Sequence, residues 1–384
     1  MAKLGDVCTI VSGTTPKSNC PEYWDGDINW VTPAELNDDS DVIYESQRKI
    51  TEQAVQNSSL KPFPAGTVLL SSRAPIGKVA IAGVEMYCNQ GFKNLICSNR
   101  IYNRYLYHFL KNSTEYLNSL GRGATFKEIS KSIVENIEIP LPPLDEQRRI
   151  AAVLDKVSGL IAKRREQLDK LDELVKARFV EMFGNFIFDR DRWEICKVGL
   201  VADTIDPQPS HRTPPVSTDG IPYIGIAECN YETWHIDFEK ARKVGKNVLR
   251  EHQERYTLDN GDFIIGKIGT IGKPFPIPAK QTYTLSANTI LIKPIKNKVM
   301  PQFLFAVFQS EYMDRIIDAE KKSTSQPAFG IQKVRNIEMP LPPMKLQQGF
   351  SDFVEQLDKS KLTIQQSLDK LEVLKKALMQ QYFG

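Results

Sequence analysis

The stretch NIEIPLPPLDEQ, Asn136 to Gln147, decides how the chain is organised, because it returns as NIEMPLPPMKLQ from Asn336 to Gln347. Each copy runs on into a long polar–apolar segment, one ending at Phe183-Gly184 and the other at Phe383-Gly384. The offset is 200 residues at both ends with no gap, and 17 of the 49 aligned positions are identical. Stacking repeats have periods of roughly 20–50 residues, so this repeat marks a duplicated domain together with its connector.

Pro140, Pro142 and Pro143 cannot sit inside a helix, but they can close a strand or loop and deliver the chain to a helix start. Beyond them, Ile150, Leu154, Val157, Ile161, Leu168, Leu171, Val175 and Met182 fall on alternating steps of four and three, with Arg164 and Arg178 off the beat. This is an a/d seam with Lys163, Glu166 and Lys170 on the outer faces. The second copy keeps it through Phe350, Val354, Leu357, Ile364, Leu368, Leu371 and Leu378, interrupted by Lys361 and Lys375. At ~1.5 Å per residue each segment makes a rod of roughly 58 Å. Neither rod can bury its seam alone. Antiparallel pairing of the two satisfies both and puts a globular segment at either end, a pseudo-twofold arrangement from one chain. The plainer alternative is two amphipathic helices, each lying on its own domain.

The repeat divides the chain into 1–144, 145–184, 185–344 and 345–384, with net charges of −1, +1, +2 and +1, which agree with the total of +3. No segment is a basic domain, so a nucleic-acid surface would have to be a local patch. The six cysteines (Cys8, Cys20, Cys88, Cys97, Cys196 and Cys229) show no CxxC spacing, and four histidines accompany them. Free thiols in a reducing cytosol are therefore expected, with no zinc site. The opening AKLGDVCTI lacks the apolar core of a signal peptide, and no run of about eighteen apolar residues could span a membrane. A cytoplasmic protein is expected.

The first globular segment begins Lys3-Leu-Gly-Asp-Val and continues into SGTTPKSNCPEYWDGDINWVT, Ser12 to Thr32, a loop-rich stretch with a short strand at Ile28–Thr32. FPAGTVLLSSRAPIGKVAIAG (Phe63–Gly83) and MYCNQGFKNLIC (Met86–Cys97) read as short strands parted by Gly and Pro. Tyr102–Leu120 has helical spacing and ends at Gly121. The second segment echoes the first in order. Lys197-Val-Gly-Leu-Val stands for Lys3-Leu-Gly-Asp-Val, DGIPYIGIAE (Asp219–Glu228) for GDINWVTPAE (Gly26–Glu35), and LDNGDFIIGKIGTIGK (Leu258–Lys273) for FPAGTVLLSSRAPIGK. Tyr283–Lys293 then answers Met86–Cys97, and Gln302–Ile317 the late helix. The fold class is α+β: two similar mixed α/β domains separated by two long antiparallel coiled-coil helices.

Enzyme readings fail on spacing. Gly269-Thr-Ile-Gly-Lys-Pro lacks the four-residue gap of a phosphate loop and has Pro274 where Ser or Thr must meet magnesium, so a tight strand-to-strand turn is expected. There is no Gly-x-Ser-x-Gly elbow and no His pair at metal-ligand spacing. The Pro-Pro pairs are not preceded by Asn or Asp nor followed by an aromatic, as an amino-methylating enzyme would require. What remains is loop chemistry suited to contacts. Ser71, Ser72, Arg73 and Lys78 flank a Gly-containing turn, followed by Asn89, Gln90 and Lys93 and then Arg122 and Thr125. The matching places hold Lys267, Thr270 and Lys273, then Ser286 and Asn288, then Lys321, Lys322, Ser323 and Ser325. Arg, Asn and Gln can read base edges, while Lys and Ser more often hold phosphates. Singly, each is equally a solvated loop residue. The basic run Lys240–Arg255 is diluted by Glu251 and Glu254 and reads as a solvated helix face.

Taken together, the doubled EIPLPPLDEQRRIAAVLDKV-type connector, the SGTTPK…EYWDGDINWVT opening, the RAPIGK and GTIGK turns and the twofold layout resemble the specificity subunit of type I restriction–modification enzymes. The resemblance implies two target-recognition domains that each read half of an asymmetric, split site in double-stranded DNA. It also implies a coiled-coil spacer that docks two methylation subunits. No cofactor belongs to this chain on that reading: S-adenosylmethionine comes with the methylation subunits, and ATP and magnesium with restriction subunits that translocate and cleave. The second connector departs from the first, with Lys345-Leu346 for Asp145-Glu146 and Gln348-Gly349 for Arg148-Arg149, so the two docking surfaces are expected to differ. Matching the Ile-Gly-Lys triplets puts Ile268 at the place of Arg73. The competing reading is a protein-interaction scaffold, in which paired domains on the spacer bind proteins.

Overall fold

The Pro-rich stretches do release the chain into two long helices, Leu144–Phe183 and Met344–Phe383, of 40 residues each. The first ends where Gly184 takes φ +83° while its N–H still bonds Val180 O at 2.8 Å, a left-handed stop that a side chain would resist. The computed structural model describes every residue except 38–39, 74, 123–126, 211, 269, 281 and 323–328, and only the backbone at 190 and 320–322. The chain forms two compact units, Met1–Arg165 with Gln366–Gly384, and Glu166–Gln365.

Within the first unit a five-stranded sheet runs in the order Cys8–Ser12, Lys93–Cys97, Val68–Leu70, Val79–Ala82, Val42–Ile43. The β-branched and apolar residues of these strands are buried on the core side, as half-buried pleated surfaces require. A second sheet of three strands is ordered Lys49–Ile50, Trp24–Val31, Tyr87–Cys88. Ala2–Lys3 pairs with Glu138–Ile139 beside the start of the long helix. The second unit repeats the three sheets with four strands rather than five in the largest, and adds a two-stranded one, Cys229–Asn230 with His235–Ile236. Its orders are Ala202–Ile205, Thr289–Pro294, Phe263–Gly266, Pro274–Pro276; then Lys243–Val244, Val216–Ile224, Thr284–Leu285; then Glu194–Lys197 with Glu338–Leu341. The echo extends to detail. Trp24–Val31 and Val216–Ile224 each carry a register shift, and each leads to a 3-10 turn whose glutamate folds back on the backbone. Glu35 accepts from Thr32 N–H at 2.7 Å, and Glu228 from Gly225 N–H at 2.7 Å.

One expectation is corrected in both units. The segment Tyr102–Leu120 is not one helix but two, Asn103–Asn112 and Thr114–Leu120, and its counterpart splits into Pro301–Phe308 and Glu311–Lys322. The cause lies in hydroxyls at the break. Ser113 Oγ donates to Phe109 O (2.7 Å) and Ser310 Oγ to Val307 O (2.6 Å), offering those carbonyls an alternative to the helical ladder.

Of the seam residues, Ile150, Leu154, Val157, Ile161, Phe350 and Leu368 are buried and the others half-buried, and antiparallel pairing is seen inside each unit. In the first, Ile150, Ala151 and Leu154 share a core with Leu378, Met379 and Phe383, while Arg165 meets Glu372 at 3.0 Å. In the second, Asp172 meets Lys361 at 2.5 Å, and Phe179 and Phe183 lie against Phe350 with centroids 5.7 and 5.5 Å apart. Phe179 and Phe183 fall one step off the heptad beat and so escaped the seam count. With Phe186 and Phe303 they form an aromatic cluster where helix meets domain, edge-to-face except for Phe179, which stacks on Phe303. Each such ring contributes about 1.5–3 kcal/mol by burial, so this junction is firmly anchored.

The junctions are also polar locks. Gln147, fully buried, accepts from Tyr102 N–H (2.8 Å) and donates to Arg100 O (3.0 Å) and Pro142 O (2.8 Å). Gln347 repeats the pattern on Met300 N–H (2.9 Å) and Pro342 O (2.7 Å). Behind Gln147, Arg104 bridges Asp155 and Asp41, and His108 bonds Asp155 Oδ1 at 2.7 Å.

Candidate nucleic-acid interface

Four loops of the first unit converge where the candidate residues lie. Ser72 N–H bonds Gly91 O (2.7 Å), joining the Ser71–Lys78 turn to the Asn89–Lys93 loop. Ile129 N–H bonds Ser72 O (2.9 Å), and Arg73 and Arg122 each form a backbone bridge to Glu128. The sequence opening joins too, since Thr14 N–H bonds Cys88 O (3.0 Å) and the Thr15 hydroxyl donates to the side chain of Gln90. The turn itself needs Gly77, whose φ is +93° and whose Cβ position lies 3.0 Å from Thr114 Cγ2.

Around Glu128 the side chains gather: Arg73 Nε at 2.9 Å, Lys93 Nζ at 3.2 Å, and Ser72 Oγ at 3.4 Å from that same amine. Burial pushes the Glu128 carboxyl up, but hydrogen bonds from Arg73 and Lys93 outweigh it, so its pKa sits below the usual carboxylate range. The carboxylate offsets one of these two cations and Arg122 is exposed nearby, which leaves a positive excess. Arg73, Gln90 and Arg122 are exposed, Arg73 with its Nε on Glu128 and Gln90 with its Oε1 on the Thr15 hydroxyl.

Other candidates have inward duties. Ser71 and Ser72 are fully buried. Ser71 Oγ accepts from Lys78 N–H (2.9 Å) and donates to Pro75 O (2.8 Å), and so shapes the turn rather than facing a ligand. Lys93 is buried on Glu128. Lys78 caps the 3-10 turn Pro33–Glu35, with its amine on Pro33 O (3.3 Å) and on Leu36 O. Asn89 Oδ1 accepts from Gly91 N–H at 2.9 Å. Thr125 lies outside the described residues.

The second unit builds the same scaffold with different chemistry. Lys267 N–H bonds Asn288 O (2.8 Å) and Phe329 N–H bonds Lys267 O (3.0 Å), the equivalents of the bonds made by Ser72. The turn from Phe263–Gly266 to Pro274–Pro276 is the tight strand-to-strand connection expected, with Gly272 at φ +73°. Lys267 is buried, with Nζ 2.7 Å from Asp206 Oδ2 and 2.9 Å from Ala287 O. Ile268, at Arg73's place, is 59% exposed. The shared pairings Val68↔Leu95 and Phe263↔Ile292 set Ile290 at the place of Lys93. Thr270, Lys273 and Asn288 are exposed, and the Lys273 amine sits 4.4 Å over the Tyr231 ring. Ser286 is half-buried, its hydroxyl accepting from Asn288 N–H at 3.3 Å. Lys321 and Lys322 end the helix Glu311–Lys322, with only their backbone described, and Ser323 and Ser325 lie outside the described residues.

Sequence reasoning passed over several loop residues. Thr15, bonded to Gln90, and Lys17 are exposed, and Arg48 stacks 3.8 Å over Trp24. In the second unit Gln208 bonds the buried His252. The signal for the first pair was the Gly-Thr-Thr-Pro-Lys turn itself, which precedes the strand leading into the site. Among the described residues no cluster of three His, Cys, Asp or Glu could hold a metal ion, and no helix is long and apolar enough to cross a membrane.

Comparison with known proteins agrees with this doubled layout. The chain matches the family described as "Type I restriction modification DNA specificity domain" twice, over residues 1–172 and 194–375. It is 28% identical to the type I restriction enzyme MjaIX specificity subunit of Methanocaldococcus jannaschii, covering 98% of this chain and 90% of that one. To the MjaVIII specificity subunit of the same organism it is 25% identical, covering 99% and 90%. Its fold is similar to the crystal structure of a type I restriction–modification system S subunit from M. genitalium, with a TM-score of 0.58 over 100% of this chain and 95% of that one at 15% identity. Two matches of one profile, falling on the two halves of an internally duplicated chain, settle the family: the chain belongs to the type I restriction–modification DNA specificity family.

Proposed function

We propose that the chain is the DNA sequence-specificity subunit of a type I restriction–modification complex. Each domain reads one half of a split, asymmetric site in double-stranded DNA. The observation that carries this reading is the pair of matched loop clusters on one scaffold with unlike contents, exposed Arg73 in one and exposed Ile268 at its place in the other. Two copies of a reader with different side chains at the same places read different bases, so the site is asymmetric. The long helices set the distance between the half-sites and dock two methylation subunits. At ~3.4 Å per base pair, rods of roughly 60 Å are long enough to hold half-sites about one helical turn, ~34 Å, apart. The chain itself is non-catalytic. S-adenosylmethionine arrives with the methylation subunits, and ATP and magnesium with the restriction subunits. The assembly works on DNA in the cytoplasm.

The test is binding of the chain, in complex with its methylation subunits, to duplex DNA across a salt series. Contact through several phosphates makes affinity fall steeply with ionic strength. The near-neutral domains leave room for a protein-binding scaffold. A salt-independent complex that selects no DNA sequence would favour that reading and overturn this one.

A further inference from the structure

Two of the six cysteines face each other across a strand pair. Cys8 opens the edge strand Cys8–Ser12 and Cys97 closes its neighbour Lys93–Cys97, and the two are direct partners in the antiparallel register. The neighbouring bond, Ser98 N–H to Val7 O at 2.9 Å, makes Cys8/Cys97 a non-hydrogen-bonded pair. In such pairs the Cα atoms approach to about 4.5 Å and the side chains are closest, within the range a disulfide spans. A hydrogen bond between the Cys8 and Cys97 thiols, together with burial, holds the Cys8 thiol well above the ordinary range. Cys8 is buried, whereas Cys97 is half-buried and followed by the exposed residues Ser98, Asn99 and Arg100, so a small reagent has a way in. The second domain supplies an internal comparison: the same register position pairs Ala202 with Pro294. There the dithiol has no counterpart.

We propose that Cys8 and Cys97 are a redox-modification site, a dithiol that closes to an intramolecular disulfide by exchange with a small-molecule disulfide such as glutathione disulfide. The Cys97 thiolate attacks one sulfur of the reagent, expels one glutathione thiolate and leaves a mixed disulfide on Cys97. Cys8 loses its proton to solvent and attacks the Cys97 sulfur, expelling the second glutathione. The protein gives up two electrons and two protons, and one disulfide is reduced to two thiols. The closed link ties the edge of the recognition sheet and encloses the Thr14–Lys17, Ser71–Lys78 and Asn89–Lys93 loops in one covalent ring. Oxidation therefore stiffens the first domain alone.

The full chain is equilibrated over a series of glutathione disulfide to glutathione ratios, quenched in acid, capped with a maleimide and digested with trypsin without reduction. The expected product is one cross-link between the peptides 4–17 and 94–100, each of which contains a single cysteine, with loss of two of the six thiols. Oxidation is expected to raise the melting midpoint of the first unit by on the order of 10 °C, since the link closes a long loop. Neither the link nor the rise should occur in Cys8→Ala, which installs the residue found in the second domain, or in Cys97→Ser at the half-buried partner. Six free thiols at every ratio, glutathione stranded on Cys97, or a link to Cys20 or Cys88 instead would overturn the proposal.

Discussion

Truncating Gln147 to Ala removes the polar lock between the first domain and its long helix. Gln147 is fully buried, and its amide satisfies three backbone groups: Tyr102 N–H at 2.8 Å, Arg100 O at 3.0 Å and Pro142 O at 2.8 Å. Leaving a buried backbone group unsatisfied costs about 1–3 kcal/mol, so with some solvent entry the three together cost on the order of 4 kcal/mol. At about 2–4 °C per kcal/mol for a domain of this size, the first unit should melt roughly 8–16 °C lower. Gln147→Glu isolates the hydrogen bonds from packing, because it keeps the shape and the acceptor for Tyr102 but sets an oxygen against two carbonyl oxygens. It should cost at least as much at neutral pH and recover in acid, when the carboxyl regains a donor. Gln348→Ala, one residue on from the equivalent Gln347, removes only an exposed bond to Asp352 and should change stability by less than about 0.5 kcal/mol. The assay is differential scanning calorimetry of the full chain. Equal melting of Gln147→Ala and Gln348→Ala would refute the reasoning.

Other consequences can be measured in the same protein. Burial, with help from Arg104 and Lys375, holds the His108 pKa below its ordinary value against the pull of Asp155. A depressed histidine favours the neutral folded form above the unfolded pKa of about 6.5 and loses that contribution as pH falls through the lower folded value. Melting temperature should therefore fall below pH 6.5 more steeply in the native chain than in His108→Gln. Gly272→Ala forces a left-handed residue and sets a Cβ 2.2 Å from Ile317 Cδ1, whereas at Gly77 the nearest atom is 3.0 Å away. Each should cost about 1–3 kcal/mol by thermal denaturation, with Gly272→Ala the worse. Arg73→Ala should relax reading of one half-site by about 1–3 kcal/mol in competition binding, leaving the other half unchanged. Lys93→Met, by contrast, should lower the melting temperature of the first unit, since Lys93 is buried on Glu128.

The two-copy plan was legible because its signals are local and repeated. The Pro-Pro starts, the four–three seam and the Ile-Gly-Lys turns each recur at a fixed offset and need no tertiary knowledge. The candidate site was legible only as a set of loops. Ser72 and Lys93 look like surface polar residues in the sequence, but Lys93 is buried on Glu128 and against Ser72, partners that meet only once the sheet has formed. Helical spacing ran through Tyr102–Leu120 because the break at Ser113 comes from a hydroxyl bonding the preceding turn, which leaves no mark on apolar periodicity. Gln147 belongs to the repeated motif, but its role is set by backbone groups 45 and 47 residues away. The facing of Cys8 and Cys97 is likewise a matter of strand register, which spacing between the two cysteines cannot give.

The central claim is that this chain chooses the DNA sequence and that each domain chooses one half. The most direct measurement is genome-wide adenine methylation in cells carrying the chain with its methylation subunit, compared with cells lacking it and with cells in which residues 185–344 are replaced by those of a relative. The account predicts a split motif that disappears without the chain and changes in one half only after the replacement. An active methylation partner with no chain-dependent motif, or a replacement that alters both halves together, would contradict it.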